Sequence, residues 1–176
     1  PPNAQYWFGT DSLGRDQLSR IIYGARISMI VGVFGSLITT LTAIIIGGVS
    51  GFFGGKIDIV MQRFVDAFLC FPWLFLSLTI MVIVGSGLIQ VIVVLGWMFG
   101  MWYSRVIRSA VIAIRGNVYM EASQAVGCSN WRMISRHIMP NVAAPILIVF
   151  TISMAYVILS EATLSFLGFG IPPPDP

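Results

Sequence analysis

Uncharged apolar runs alternate with polar segments along this chain, and the run lengths predict its elements. Residues 27–55, 67–104 and 138–160 contain no Asp, Glu, Lys or Arg. One membrane crossing takes about 20 apolar residues, so the first and third runs predict one helix each. The middle run is long enough for two, with Gly85, Ser86 and Gly87 supplying the break. Helices are expected near 28–50, 66–84, 88–106 and 141–161, an all-α membrane protein with four transmembrane helices in this segment.

The polar segments carry their own patterns. Between the third and fourth spans, residues 105–136 hold five arginines and Glu121. Six such residues at mid-bilayer would cost about 15–20 kcal/mol on insertion scales, so this stretch reads as an extramembrane loop. A loop that long inside a compact domain is usually functional. Its centre reads "EASQAVGCSNWRMISRHIMP", 121–140. Asn117 is placed to cap a helix running to Val126, and Glu121 in its early turns suits the helix dipole. Gly127 can end that helix in the left-handed conformation. Ser129 or Asn130 can cap a second helix, with Trp131, Ile134 and Ile138 recurring along one face. Pro140 closes that helix or starts the last span. Two short helices meeting at a glycine, small and polar at the tip, suit insertion into a groove on another protein.

The linker "KIDIVMQRFVDAFLCFP", 56–72, places Asp58, Gln62 and Asp66 at i, i+4 spacing, with Arg63 beside them. This is an amphipathic helix lying at the membrane interface and feeding the second span, which Pro72 kinks or restarts. Glycines at 47, 48, 51, 54 and 55 crowd the end of the first span, and small residues there permit close helix packing in lipid.

Composition agrees with a lipid solvent. Of 176 residues, 57% are hydrophobic and 10% charged, with a mean hydropathy of +0.89; soluble domains carry about a quarter charged residues. The net charge of +3 bears first on topology. Arg105, Arg108, Arg115, Arg132, Arg136, Lys56 and Arg63 fall on one side, which the positive-inside rule makes cytoplasmic. Arg15, Arg20 and Arg26 fall outside, partly balanced by Asp11 and Asp16. Residues 1–26 are thus an external segment before the first span, and 27–176 a transmembrane domain with a cytoplasmic loop at about 105–140. With no initiator Met or signal peptide, and an end at "GIPPPDP" directly after an apolar helix, the chain reads as an internal part of a longer membrane protein. No basic face with aromatic platforms suggests nucleic acid. Cys70 and Cys128 are too separated for a disulfide framework, and the lone His137 offers no metal site.

The polar loop resembles the EAA loop of ATP-binding-cassette importer permeases: E-A-A, three residues, G, nine residues, I-x-L-P. Here it reads Glu121, Ala122, Ser123, three residues, Gly127, nine residues, then "HIMP" ending at Pro140, with Ser123, His137 and Met139 departing from the pattern. Arg136, His137, Ile138, Pro140 and Asn141 are similar to the wording of the dipeptide, oligopeptide and nickel branch. "GTDSLGRDQLSRIIYGARIS", 9–28, and "EATLSFLGFGIPPPDP", 161–176, resemble that branch's sequence before the second and after the fifth span. The resemblance implies a type I importer transmembrane domain, with six spans in the full protein. It implies a permease moving di- or oligopeptides, or nickel and other small solutes, across a bacterial or archaeal plasma membrane. It also implies two ATPase subunits, a second related permease and an external solute-binding protein as partners. The permease would hydrolyse nothing and bind no cofactor itself, ATP being held by the partners. Coupling would fall to Glu121, pairing with a basic group of the ATPase, to Ala122 and Ser123 for close approach, to Gly127 for the turn, and to Trp131 and Pro140.

Arg15 and Asp16 read as a local charge pair that could contact the binding protein. Glu161 sits at the outer end of the last span, close enough to the interface for solvation, and near the outer gate on this resemblance. Ser77, Thr79, Gln90, Thr151 and Ser153 either line a path or hydrogen-bond between helices. A secondary transporter or channel without an ATPase would need ionisable residues at mid-span, which the uncharged runs lack. A membrane enzyme would need paired acids and histidines, or a nucleophile with its base.

Overall fold

The computed structural model describes residues 2–3, 6–11 and 14–170. Among the described residues eight α-helices follow in order: α1 (Gln17–Phe53), α2 (Gly55–Leu69), α3 (Trp73–Val84), α4 (Leu88–Arg115), α5 (Val118–Ala125), α6 (Asn130–Met133), α7 (Met139–Asn141) and α8 (Ala143–Phe166). A π-helical turn, Ile134–Ile138, joins α6 to α7. Helices α1, α4 and α8 are long and apolar enough to cross a membrane, while α2 and α3 reach that length and apolarity only as a pair, bent by 87° at the break between them.

Helix α1 starts ten residues before the uncharged run begins. Asp16 is its N-cap, accepting from the Leu18 and Ser19 amides at 3.2 and 3.1 Å and from the Ser19 hydroxyl at 2.6 Å. At 37 residues the helix is about 55 Å long, so it outreaches the hydrocarbon core. Hydrophobicity marks where a helix meets lipid; the cap marks where it starts. At the other end, Gly54 and Gly55 take φ of 65° and 54°, a conformation open to glycine, and turn the chain into α2. The glycine cluster thus divides its work. Gly47 and Gly51 lie against α4, where an added Cβ would be 2.2 Å from the Ser104 carbonyl oxygen and 2.9 Å from that of Arg108, while Gly48 faces open space.

The second span, expected near 66–84 with a kink or restart at Pro72, is interrupted there. The amphipathic helix runs on to Leu69, the chain breaks at 70–72, and α3 resumes at Trp73. Pro72 has no N–H to continue a helix. With 12 residues, α3 is only about 18 Å long. The stretch after residue 105 is also not a loop at first, since α4 continues through Arg115. Two of its three arginines are received by acids of α2: Arg108 grips Asp58 and Arg105 reaches Asp66.

Two apolar clusters hold the bundle. One joins Val31, Met81, Val91, Leu95, Val157 and Leu164. The other, at the α5–α6 end, joins Ala43, Ile107, Met120, Met133, Ile138 and Val149. The polar residues considered for interhelical bonding mostly bond their own helix. Ser77, Thr79, Thr151 and Ser153 donate to carbonyls three or four residues back, at 2.8–3.1 Å, which satisfies a hydroxyl without a partner helix.

Candidate docking hairpin

Residues 116–142 form the candidate site, built on the end of α4. Gly116 closes α4 and Asn117 occupies the N-cap position of α5. Its side chain makes no capping bond, contrary to expectation; its carbonyl accepts from the Met120 amide at 2.9 Å. Helix α5 ends in paired backbone bonds, Gly127 N–H to the Gln124 carbonyl at 2.9 Å and Cys128 N–H to the Ser123 carbonyl at 3.0 Å. That is a Schellman closure, whose left-handed residue is Gly127 at φ 82°. Ser129 then caps α6, its hydroxyl accepting from the Arg132 amide at 3.4 Å.

Two methionines root the hairpin in the core: Met120 of α5 is 4% exposed and Met133 of α6 is 1% exposed. The Tyr119 and His137 rings, 6.3 Å apart, tie α5 to the π turn. Trp131 and Ile138 do not share the one face expected of them: Trp131 is 77% exposed, whereas Ile138 is buried. The π turn explains this, because a five-residue repeat between them breaks the 3.6-residue period that put them on one face. Pro140 neither ends nor starts a long helix but lies in α7, just past that turn. The widened turn accommodates its ring, which in a regular helix meets the carbonyl four residues back. Asn141 steadies the exit by donating to the His137 carbonyl at 2.6 Å.

The tip presents Glu121, Ala122, Val126 and Gly127 outward. A groove of about 400 Å³ lies between the two short helices, lined by Ala122, Ser123, Val126, Gly127, Cys128 and Arg132. The Ser123 hydroxyl is turned back to the Tyr119 carbonyl at 2.8 Å, so the groove wall is small. Val126 and Trp131, 89% and 77% exposed, flank a polar tip. A rigid turn, small residues and two projecting apolar side chains make a shape suited to a cleft on a partner.

A sequence profile described as "binding-protein-dependent transport system inner membrane component" matches residues 43–176. The chain belongs to this family. It is therefore a multi-pass protein of the inner membrane. The dipeptide transport system permease protein DppC of Bacillus subtilis is 42% identical over 99% of this chain and 54% of its own length. The oligopeptide permease OppC of the same organism is 37% identical over 99% of this chain and 57% of its own. The glutathione permease GsiD of Pectobacterium atrosepticum is 33% identical over 99% and 58%. The chain spans little more than half the length of these relatives.

The remaining predicted residues lie away from the hairpin. Arg15 does not pair with Asp16: its Nε donates to Asp11 at 3.0 Å, and Arg20 joins the same carboxylate at 2.7 Å. Asp16 is left to cap α1, and the Ser19 hydroxyl, with the two amides, holds its carboxyl below the usual value. Glu161 is not solvated. It is 8% exposed, accepts from the Ser165 hydroxyl at 2.7 Å, and pairs with no cation among the described residues. It belongs to the face of α8, with Val157 and Leu164, that packs into the bundle. The chain folds back beyond it, Phe169 N–H donating to the Leu164 carbonyl at 2.9 Å. Residues 171–176 of the last matching block, and Ser12 and Leu13 of the first, lie outside the described residues.

Sequence patterns missed the contact between α2 and α4, and the cavity beside it. An uncharged cavity of about 480 Å³ opens where α2 turns into α3, lined chiefly by Phe68, Trp73, Phe99, Trp102, Tyr103 and Tyr156. The signal for the contact was present as two acids spaced by eight residues and two arginines spaced by three, in segments assigned to the same side.

Proposed function

We propose that this chain is the permease part of an ATP-driven importer, moving di- or oligopeptides, or nickel or other small solutes, into the cell. The observation that carries the proposal is the projecting hairpin: a glycine-closed pair of short helices between two spans, rooted by Met120 and Met133, with a small-residue groove at its tip. In this reading the hairpin is cytoplasmic and seats in a cleft of an ATPase subunit. Glu121 pairs with a basic group there, Ala122 and Ser123 allow close approach, and Trp131 and Val126 fill apolar hollows. Gly127 sets the angle and Pro140 the exit toward α8.

Two ATPases closing on ATP would pull on this chain and on a second, related permease, switching the path between inward-facing and outward-facing. An external binding protein would deliver the solute, with Arg15, Asp16 and Glu161 at the opposite end of the bundle as candidates for external contact or gating. The permease itself would hydrolyse nothing and hold no cofactor; ATP would act on the partner subunits. The peptide permeases among the relatives support the substrate class.

The test is Glu121→Ala in the full-length permease assembled with its ATPase. Loss of a desolvated pair should weaken docking by about 2–5 kcal/mol, and a carboxylate left in solvent by a few tenths. Unchanged import together with unchanged substrate-stimulated hydrolysis would remove Glu121 from the interface.

A further inference from the structure

Helix α2 is fastened to the extended end of α4 at two separated points. Arg108 of α4 forks onto Asp58 of α2, Nε to Oδ1 at 2.6 Å and Nη2 to Oδ2 at 2.5 Å. Their side chains are only 31% and 16% exposed. This two-bond geometry fixes orientation as well as distance. Two turns further along α2, Asp66 receives Arg105 at 2.5 Å, with Arg63 3.7 Å away on its other oxygen. Between the acids, Gln62 donates to the Ser50 hydroxyl at the end of α1 at 3.2 Å. The acids are about 12 Å apart along α2 and the arginines about 4.5 Å apart along α4, so the two helices cross. Two contacts across such a crossing resist rotation as well as sliding.

The same α4 segment is pressed against the Gly47 and Gly51 face of α1, where the Arg108 backbone itself lies against both glycines. The turns carrying Arg105 and Arg108 are thus held between α1 and α2, and the hairpin begins right after α4 ends. At its far end α2 reaches the break at 70–72, where Phe68, Leu69, Phe71 and Trp73 wall the aromatic cavity.

We propose that Asp58 and Asp66 are positioning residues that, through Arg108 and Arg105, make α2 a rigid strut. Displacement of the docking hairpin is carried by α4 to α2, and by α2 to the bend that shapes the cavity. The proposal rests on the permease reading above and adds the route by which the hairpin's motion reaches the membrane interior. Stability alone would be served by apolar contact at this place; two oriented ion pairs also keep α2 in register with α4.

The experiment uses the full-length permease, reconstituted with its ATPases, second permease and binding protein, and reads solute imported per ATP hydrolysed. Asp58→Asn should lower that ratio at least about fivefold in complexes that still assemble. The exchange Asp58→Arg with Arg108→Asp should restore it. With the native Cys70 and Cys128 left in place, Asp66→Cys and Arg105→Cys joined by a bifunctional maleimide should leave import equal to that of the unsubstituted complex treated with the same reagent, because a strut does not slide on its anchor. Import abolished by that cross-link, or an unchanged ratio in Asp58→Asn, overturns the strut. If Asp58→Asn fails to assemble, the cross-link decides alone, retained import supporting the strut and lost import refuting it. An unsubstituted complex that imports nothing defeats the permease reading itself, a result distinct from coupled import that ignores Asp58.

Discussion

Replacing Gly127 with alanine isolates the turn of the hairpin from everything around it. An added Cβ meets nothing within 4 Å, so no packing is disturbed. What changes is the backbone: φ is 82°, a region costing an L-residue with a β-carbon about 1–2 kcal/mol. Relaxing φ to a negative value would break the two closing bonds, from Gly127 to Gln124 and from Cys128 to Ser123, and swing α6 relative to α5. Either way the docking conformation is penalised by about 1–2 kcal/mol, which corresponds to a 5- to 30-fold weaker affinity for the ATPase. Asparagine tolerates the left-handed region better, so Gly127→Asn should fall between glycine and alanine. The assay is binding of purified ATPase to the full-length permease in nanodiscs, with thermal unfolding of the permease alone as the control for fold. Affinity unchanged in Gly127→Ala would refute the claim that this turn presets the docking shape. Equal losses in the Asn and Ala variants would refute the backbone explanation for it.

Two further outcomes follow from the α1 contacts. Gly47→Ala should destabilise the α1–α4 pair by about 1–3 kcal/mol, because the new Cβ meets backbone that only a helix shift can move. Gly48→Ala, facing open space, should be benign in the same thermal-unfolding measurement, and equal behaviour of the two would contradict the close approach. At the start of α1, the lowered carboxyl of Asp16 gives its cap a pH dependence with a definite sign. The capping contribution is full above the unfolded carboxyl value of about 3.8 and is lost as pH falls through the lower folded value. Amide exchange at Leu18 and Ser19 should therefore accelerate at acid pH, beyond its intrinsic pH dependence. Asp16→Asn, which keeps an accepting oxygen without the titration, should abolish that change.

How far the sequence reached depended on how local each cause was. The span near 88 and the last span were legible because an uncharged run of membrane length has one inexpensive environment. The hairpin was legible because Gly127 and Ser129 act on amides within a few residues of themselves. Where the cause lay across the fold, the pattern misled. Arginines at 105 and 108 predicted a loop, yet they sit on a continuing helix, received by acids thirty-nine and fifty residues away respectively. Trp131 and Ile138 fit one face of a regular helix until a π turn between them changed the period. Glu161 was placed near water by its distance along α8, but depth along a helix says nothing about which face meets its neighbours.

The sequence by itself thus determined that this is a helical membrane protein and where the glycine turn between α5 and α6 lies. Those outcomes follow from transfer free energy and from backbone sterics, both properties of short stretches. Only the tertiary structure decided that α2 and α3 meet at 87°, that α2 is clasped to α4, and that the bend opens onto an aromatic cavity. Those depend on pairing groups distant in sequence, and no local preference specifies which acid meets which arginine.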